Sequence, residues 1–203
     1  MLTLHHSPLS RSMRVVWYCE EIDLAYRLEP VEMFSDAMQR PAYLKVNPLG
    51  KVPAIEDDGF LLWETAAILS YLDAKYGAGA LIPPSDTEEG ALTLQWMGYG
   101  ENPLTVIMGE IASHSGRIPE DRRWPVLVDR GREIAPNLVG VIEGALDGRE
   151  WILGDRFSAA DIMLGFGLMI ARHLEYVNAD TPRTSAYLAR LTARPAFERA
   201  AAV

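Results

Sequence analysis

Between His5 and Glu21 the chain reads HHSPLSRSMRVVWYCEE. Ser7, Ser10 and Ser12 crowd the entrance of a helical pattern, with Arg11 and Arg14 among them. Serine at such a place caps the helix, because its oxygen satisfies an orphan amide of the first turn. A hydroxyl at a helix entrance can also donate to a bound anion, and the residues alone leave both roles open. The adjacent His5 and His6 raise the question of a metal, but no partner at ligand spacing lies nearby, which favours a strand-end pair. Cys19 falls on the apolar face of the helical pattern and reads as core. Thiol–disulfide chemistry by the protein itself needs a nucleophilic thiol in the turn, and the turn has none.

These residues need a scaffold, and the chain is long enough for one. It has 203 residues, 49% hydrophobic and 23% charged, with a net charge of −9. That balance speaks against broad binding to nucleic acid or anionic membranes, which calls for positive faces. A single cysteine excludes an intrachain disulfide and suits a reducing cytoplasm. The start, MLTLHHSPLSR, does not read as a signal peptide. The longest apolar stretch, from Ile162 to Ala171, is too short to span a bilayer.

The first eighty residues mix two rhythms. Leu2–His5 is a short apolar run, and residues 11–22 place Val15, Val16, Cys19 and Ile22 on one helical face. Residues 25–31 read as a strand and 37–46 as a short helix closed by Asn47-Pro48. The stretch VPAIEDDGFLLWE reads as a hairpin turning at Asp57-Asp58-Gly59. Residues 64–76 form a helix stopped at Gly77. The order β-α-β-α-β-β-α pairs the first two strands in parallel and the last two as a hairpin.

The Gly/Pro-rich GAGALIPPSD then acts as a linker. Beyond it no strand is convincing. Long helices are expected over 87–112, disturbed at Asn102-Pro103, and over 120–146, disturbed at Pro125 and Pro136. Helices over 158–176, 184–192 and 196–202 complete an all-α half. The third of these five has a local signature. Ser158 as cap and Asp161 three residues on make a capping box, flanked by the hydrophobic staple Phe157 and Ile162. Its plain meaning is structural.

Four stretches, in this order, resemble the cytosolic glutathione transferases. SPLSRSMRV is similar to the active-site turn of the family's serine-type, theta-like bacterial members. NPLGKVPAIEDDGFLLWETAAILSYL resembles the glutathione-binding segment, FSAADI the buried capping box, and RPAFERA a common ending. The resemblance spans essentially the whole chain. It implies an α/β domain of thioredoxin-like fold over 1–77, a linker over 78–86 and an all-helical domain over 87–203. It also implies a cytoplasmic homodimer with a role in detoxification, glutathione as co-substrate, and no metal, nucleic-acid or membrane partner.

On that resemblance the sulfur arrives with the ligand. A free thiol has a pKa of about 8.5, and lowering it by about two units requires ~2.7 kcal/mol. One charge-assisted hydroxyl bond contributes roughly 1.5–3 kcal/mol, and a helix N-terminus roughly 0.3–2 kcal/mol. A serine at the first turn is therefore about sufficient. Ser10 is the choice for this donor, since Arg14 stands four residues on as in the serine-type branches; Ser12 is the runner-up. Arg11 and Arg14 either add positive potential or are solvated.

The resemblance assigns the tripeptide to Lys51, Val52, Pro53, Glu64 and Thr65. Val52-Pro53 matches a cis-proline step whose preceding residue pairs with the cysteinyl backbone. Glu64 and Thr65 open a helix whose amides suit the γ-glutamyl carboxylate, with Glu64 facing the ammonium. Lys51 either pairs with the glycyl carboxylate or is a solvated turn lysine. Gln39 and Arg40 are weaker candidates. A small hydrophobic electrophile is expected between the halves, against His6, Trp96, Tyr99, Leu104 and Met108. For each of these four helical residues, interhelical packing is the competing role.

Overall fold

Leu2 and Leu4 alternate in strand β1 (Leu2–His6), all of whose residues are buried. A computed structural model describes residues 1–33 and 35–203. Helix α1 (Met13–Glu21) returns the chain to strand β2 (Arg27–Pro30), which lies parallel to β1. A short helix, α2 (Pro41–Leu44), precedes the hairpin of β3 (Ala54–Asp57) and β4 (Phe60–Trp63), and α3 (Thr65–Leu72) follows. The sheet order is β2-β1-β3-β4, with β3 antiparallel to both neighbours. Asp58 and Gly59 carry the hairpin turn with φ of 50° and 87°. A two-residue loop needs that left-handed backbone to match the strand twist, and glycine supplies it without steric cost. This is a mixed sheet of the thioredoxin-like kind that the resemblance implies.

The chain divides into two compact units, Met1–Leu81 with Ala193–Val203, and Ile82–Thr192. The second unit is helical. Helix α4 (Glu88–Tyr99) starts at Thr87, whose hydroxyl accepts the Gly90 amide at 3.0 Å. Asn102 leaves helical geometry (φ −134°, ψ 118°) ahead of a cis bond to Pro103, and α5 (Val106–Ala112) resumes. The residue before a proline is pushed to extended backbone, so the break falls where expected. Helix α6 (Pro125–Ala145) begins at Pro125 rather than at residue 120, because proline at the first helical position gives up only an amide with no helical partner. It continues through Pro136.

Helices α7 (Ala159–His173) and α8 (Pro182–Thr192) complete the unit. Ile162, Met163, Leu164 and Leu168 of α7 are wholly buried. Gly167 admits Leu104 there: a Cβ at that glycine would stand 2.8 Å from the leucine side chain. Among the described residues no helix is long and apolar enough to cross a membrane.

The last helix, α9 (Pro195–Ala201), packs with the first unit. The sequence reading had placed these residues with the helical half. The reason for the difference lies in α1, which is apolar on more than one side. Val15, Val16, Tyr18 and Cys19 are wholly buried and Trp17 nearly so. The sheet covers one side. Phe197 covers another, meeting the Trp17 ring edge-on at 5.0 Å. Arg194 adds a two-pronged bond to Glu21, at 2.6 and 2.7 Å.

Candidate active site

The strand register fixes which loops can meet. His5 lies opposite Ala54, and Ala54 opposite Trp63. One step beyond these pairs lie the Ser7–Ser12 turn, Val52-Pro53 and Glu64-Thr65. All three therefore sit at the same end of the sheet.

The turn is built from hydroxyls. Ser10 Oγ stands 2.7 Å from the Ser7 carbonyl oxygen and 2.6 Å from Ser12 Oγ, and it accepts the Ser12 amide at 3.2 Å. Ser12 Oγ accepts the Ser7 amide at 3.1 Å and lies 2.9 Å from His6 Nδ1. His6 Nε2 is 3.3 Å from the main-chain oxygen of Val203. That oxygen only accepts, so Nε2 carries the ring proton of a neutral His6. Nδ1 is then bare and takes the Ser12 hydroxyl proton. Burial lowers the His6 pKa, against the Val203 oxygen, which raises it.

The entrance of α1 carries no anion of the protein's own. Ser12 is its cap residue, yet its side chain makes no cap bond, and the first turn has no acidic residue. The Met13, Arg14 and Val15 amides bond the Ser10, Arg11 and Ser12 carbonyls at 3.1, 3.2 and 3.0 Å, so what this end offers an anion is the Ser10 hydroxyl and the field of the helix dipole rather than free amides. Arg14 is wholly buried in that first turn rather than solvated, while Arg11 is half-buried. Cys19 is wholly buried, and burial pushes its thiol pKa far up, as a core residue requires. His5 points away from this network; its ring meets Tyr43 edge-on at 5.6 Å, and neither ring nitrogen has a partner among the described residues.

The Val52–Pro53 bond is cis. Val52 N–H and C=O make no main-chain hydrogen bond among the described residues, which leaves a free edge for an extended peptide. Two residues that sequence reasoning missed hold this loop: Tyr43 Oη and Asn47 Nδ2 donate to the Lys51 carbonyl at 2.8 and 2.7 Å. In the sequence Asn47-Pro48 reads as a helix stop opening the segment that resembles the glutathione-binding stretch, with no sign of this bond. The Lys51 side chain is exposed.

Glu64 has φ 76° and ψ 117° at the entrance of α3. For a residue with a Cβ this conformation costs on the order of 1–3 kcal/mol, and such strain gathers at ligand sites. The entrance has no side-chain cap and no acid in the first turn; Thr65 beside it is buried.

In the helical unit, Trp96 and Tyr99 meet edge-on at 5.4 Å, and Tyr99 Oη donates to the Leu138 carbonyl at 2.9 Å. Leu104 and Met108 are wholly buried, so their side chains take the interhelical role rather than facing an open pocket.

Comparison with known proteins gives this geometry a context. Residues 9–75 match the glutathione S-transferase N-terminal domain, and residues 110–195 match the C-terminal domain. The chain belongs to the glutathione S-transferase family. The disulfide-bond oxidoreductase YfcG of Escherichia coli is 31% identical over 169 residues, 80% of this chain and 76% of that one. Glutathione S-transferase 3 of Schizosaccharomyces pombe is 33% identical over 185 residues, 85% of this chain and 75% of that one.

Among solved structures, a glutathione transferase family member from Pseudomonas fluorescens, with two glutathione molecules bound, superposes with a TM-score of 0.86. It is 28% identical over 98% of this chain and 92% of its own. One from Burkholderia graminis, with two glutathione molecules bound per subunit, gives 0.87 at 30% identity, over 98% and 87%. The glutathione S-transferase N-terminal match takes in Ser10, Val52-Pro53 and Glu64-Thr65; the C-terminal match takes in the Ser158–Asp161 box.

Proposed function

We propose that this protein is a serine-type glutathione transferase in which Ser10 holds the glutathione sulfur as a thiolate for attack on a small hydrophobic electrophile. The observation that carries the reading is the entrance of α1: the Ser10 hydroxyl stands at a helix end whose first turn carries no acid. Ser10 is favoured over Ser12 because the Ser12 proton is directed to His6 Nδ1. Glutathione fits the remaining groups. The Val52 amide and carbonyl, without a main-chain partner among the described residues, suit its cysteinyl backbone, and the amides of α3 with Thr65 suit the γ-glutamyl carboxylate. Glu64 faces the ammonium, Pro53 shapes the step, and Lys51 is within the same loop to meet the glycyl carboxylate.

Relatives named as glutathione S-transferases and neighbours with glutathione bound support glutathione as co-substrate. Trp96 and Tyr99 are the aromatic residues offered to the electrophile, with Leu104 and Met108 backing them. We take the working form to be a cytoplasmic homodimer, as is common in the family. A second reading keeps the same thiolate and directs it at a disulfide, as the name of the Escherichia coli relative suggests.

The test is a pH titration of the thiolate absorbance of bound glutathione, in the wild type and in Ser10→Ala. The bound thiol is expected to titrate below its ordinary value of about 8.5 and to rise by about one to two pH units in the variant. An unchanged pKa in Ser10→Ala removes Ser10 from the role. Tight binding with no thiolate and no turnover of model electrophiles or disulfides would instead mark a glutathione-binding protein without catalysis.

A further inference from the structure

The thiol proton needs a destination, and the turn supplies one. Ser12 Oγ accepts the Ser7 amide and directs its own proton to His6 Nδ1; the Ser10 hydroxyl, 2.7 Å from the Ser7 carbonyl oxygen and 2.6 Å from Ser12 Oγ, can turn its proton to either. Ser10 Oγ accepts the Ser12 amide and keeps one acceptor position unfilled. The chain Ser10–Ser12–His6 thus begins at an open acceptor and ends at a base. Its links are 2.6 and 2.9 Å long, short enough for proton hops without movement of a heavy atom. All three residues are buried, with exposures of 6%, 1% and 4%, so bulk water does not compete along the line.

We propose that His6 receives the thiol proton of bound glutathione through Ser12 and Ser10. The inference rests on the reading of Ser10 as the partner of the sulfur. In the step, the S–H bond breaks and its proton forms a new O–H on Ser10. The former Ser10 proton passes to Ser12 Oγ, and the former Ser12 proton passes to His6 Nδ1. The sulfur keeps the electron pair as thiolate, and His6 becomes imidazolium with Nε2–H still on the Val203 oxygen. Every hydrogen bond in the line has then reversed. His6⁺ donates to Ser12, Ser12 to Ser10, and Ser10 to the thiolate. The imidazolium returns its proton to the leaving group or, after product departs, to water.

The surroundings suit this role. Of the charged residues on the neighbouring elements, Arg11 and Arg14 lie on the turn and α1, Glu29 on β2, and Glu198 and Arg199 on α9. None acts appreciably on the His6 ring; burial and the Val203 oxygen are the two influences. Burial keeps the ring neutral near pH 7 while the site is empty, so it can take a proton. The arriving thiolate then favours the imidazolium, as in coupled thiol–imidazole pairs.

Proton counting decides the matter. Glutathione binding is measured calorimetrically at pH about 7 in buffers of different ionisation enthalpy, with thiolate formed read by absorbance on the same samples. The wild type is expected to release well under one proton per thiolate formed, and His6→Asn about one. The thiol pKa should rise by about one pH unit in both His6→Asn and Ser12→Ala, and return toward the wild-type value in Ser12→Thr, which restores a hydroxyl. A wild type that releases one proton per thiolate overturns the relay even if no variant folds. A pKa raised in Ser10→Ala but unmoved in Ser12→Ala and His6→Asn also overturns it while leaving Ser10 in place. An unmoved pKa in Ser10→Ala overturns the underlying reading as well.

Discussion

Helices α1 and α7 both begin at a serine, and the two entrances are finished in opposite ways. At α7, Asp161 fills the helix end with the protein's own anion. It accepts the Ser158 amide and hydroxyl on one oxygen, and the Ile152 amide and Tyr187 hydroxyl on the other. At α1 the first turn has no acid, and the serine at the cap position turns its hydroxyl to His6. One entrance is closed and serves stability. The other has no acid of its own, and on the proposed reading an anion brought from outside completes it. The α3 entrance belongs with the open kind, having neither cap nor acid and a strained Glu64. The residue type at a cap thus says little; what the first turn carries beside it distinguishes the two uses.

The largest effect expected from this contrast is on stability. Asp161→Ala leaves four buried donors without their acceptor, each costing on the order of 1–3 kcal/mol. A net loss of at least about 3 kcal/mol corresponds to a fall in Tm of roughly 6–12 °C for a chain of this size. A fall of less than about 2 °C would show that the closed entrance is not what holds α7. Where the variant folds, the thiol pKa of bound glutathione stays at its wild-type value. Ser10→Ala should invert this pattern. Its kcat/KM falls roughly 10–100-fold, as loss of one charge-assisted bond implies, while stability falls by about 1–2 kcal/mol, less than in Asp161→Ala, because one buried amide rather than four donors loses its acceptor. Unaltered kcat/KM with a large loss of stability would reassign Ser10 to the closed kind.

The closed entrance was legible in the sequence and the open one only half so. FSAADI places box and staple within six residues, so local rules suffice to read it. The Tyr187 hydroxyl comes from 26 residues away and follows no local period. The parallel β1–β2 pair and the β3–β4 hairpin followed from the element order and the Asp-Gly turn, whereas the antiparallel β1–β3 pairing that joins them did not. At α1 the serines and the helix were legible, but the contact between Ser12 and His6 runs back across the turn to the strand, and Val203 reaches His6 from 197 residues on. The grip of Tyr43 and Asn47 on Lys51 was likewise hidden, since neither the short helix nor the resemblance of the following segment names their partner. Leu104 and Met108 read equally as pocket and as packing, because burial depends on which helix lies opposite. The same dependence moved α9 to the first unit: nothing local in PAFERAA names Trp17 as its partner.

Ser158→Ala sharpens the contrast at a smaller scale. It removes one of the four donors to Asp161 and should cost about 1 kcal/mol, read as a shift in urea midpoint. The kcat/KM for glutathione stays unchanged. A tenfold loss of kcat/KM in this variant would mean that the closed entrance also serves the chemistry.

The smallest difference expected is in the response to acid. The strand leading to the open entrance carries two buried histidines, whereas the α7 entrance has none. His5 has no partner for either ring nitrogen among the described residues, and burial lowers its pKa; His6 is lowered as well. Both rings have an ordinary value of 6.5 when exposed. The unfolded chain therefore binds more protons than the native one as pH falls through 6.5, and native stability falls with it. The urea midpoint of the wild type should be lower at pH about 5.5 than at pH about 7.5. His5→Leu, close in volume and unable to ionise, should shrink that difference, and the share belonging to His6 should remain. An equal difference in wild type and variant would place the acid sensitivity outside His5 and leave the two entrances alike in this respect.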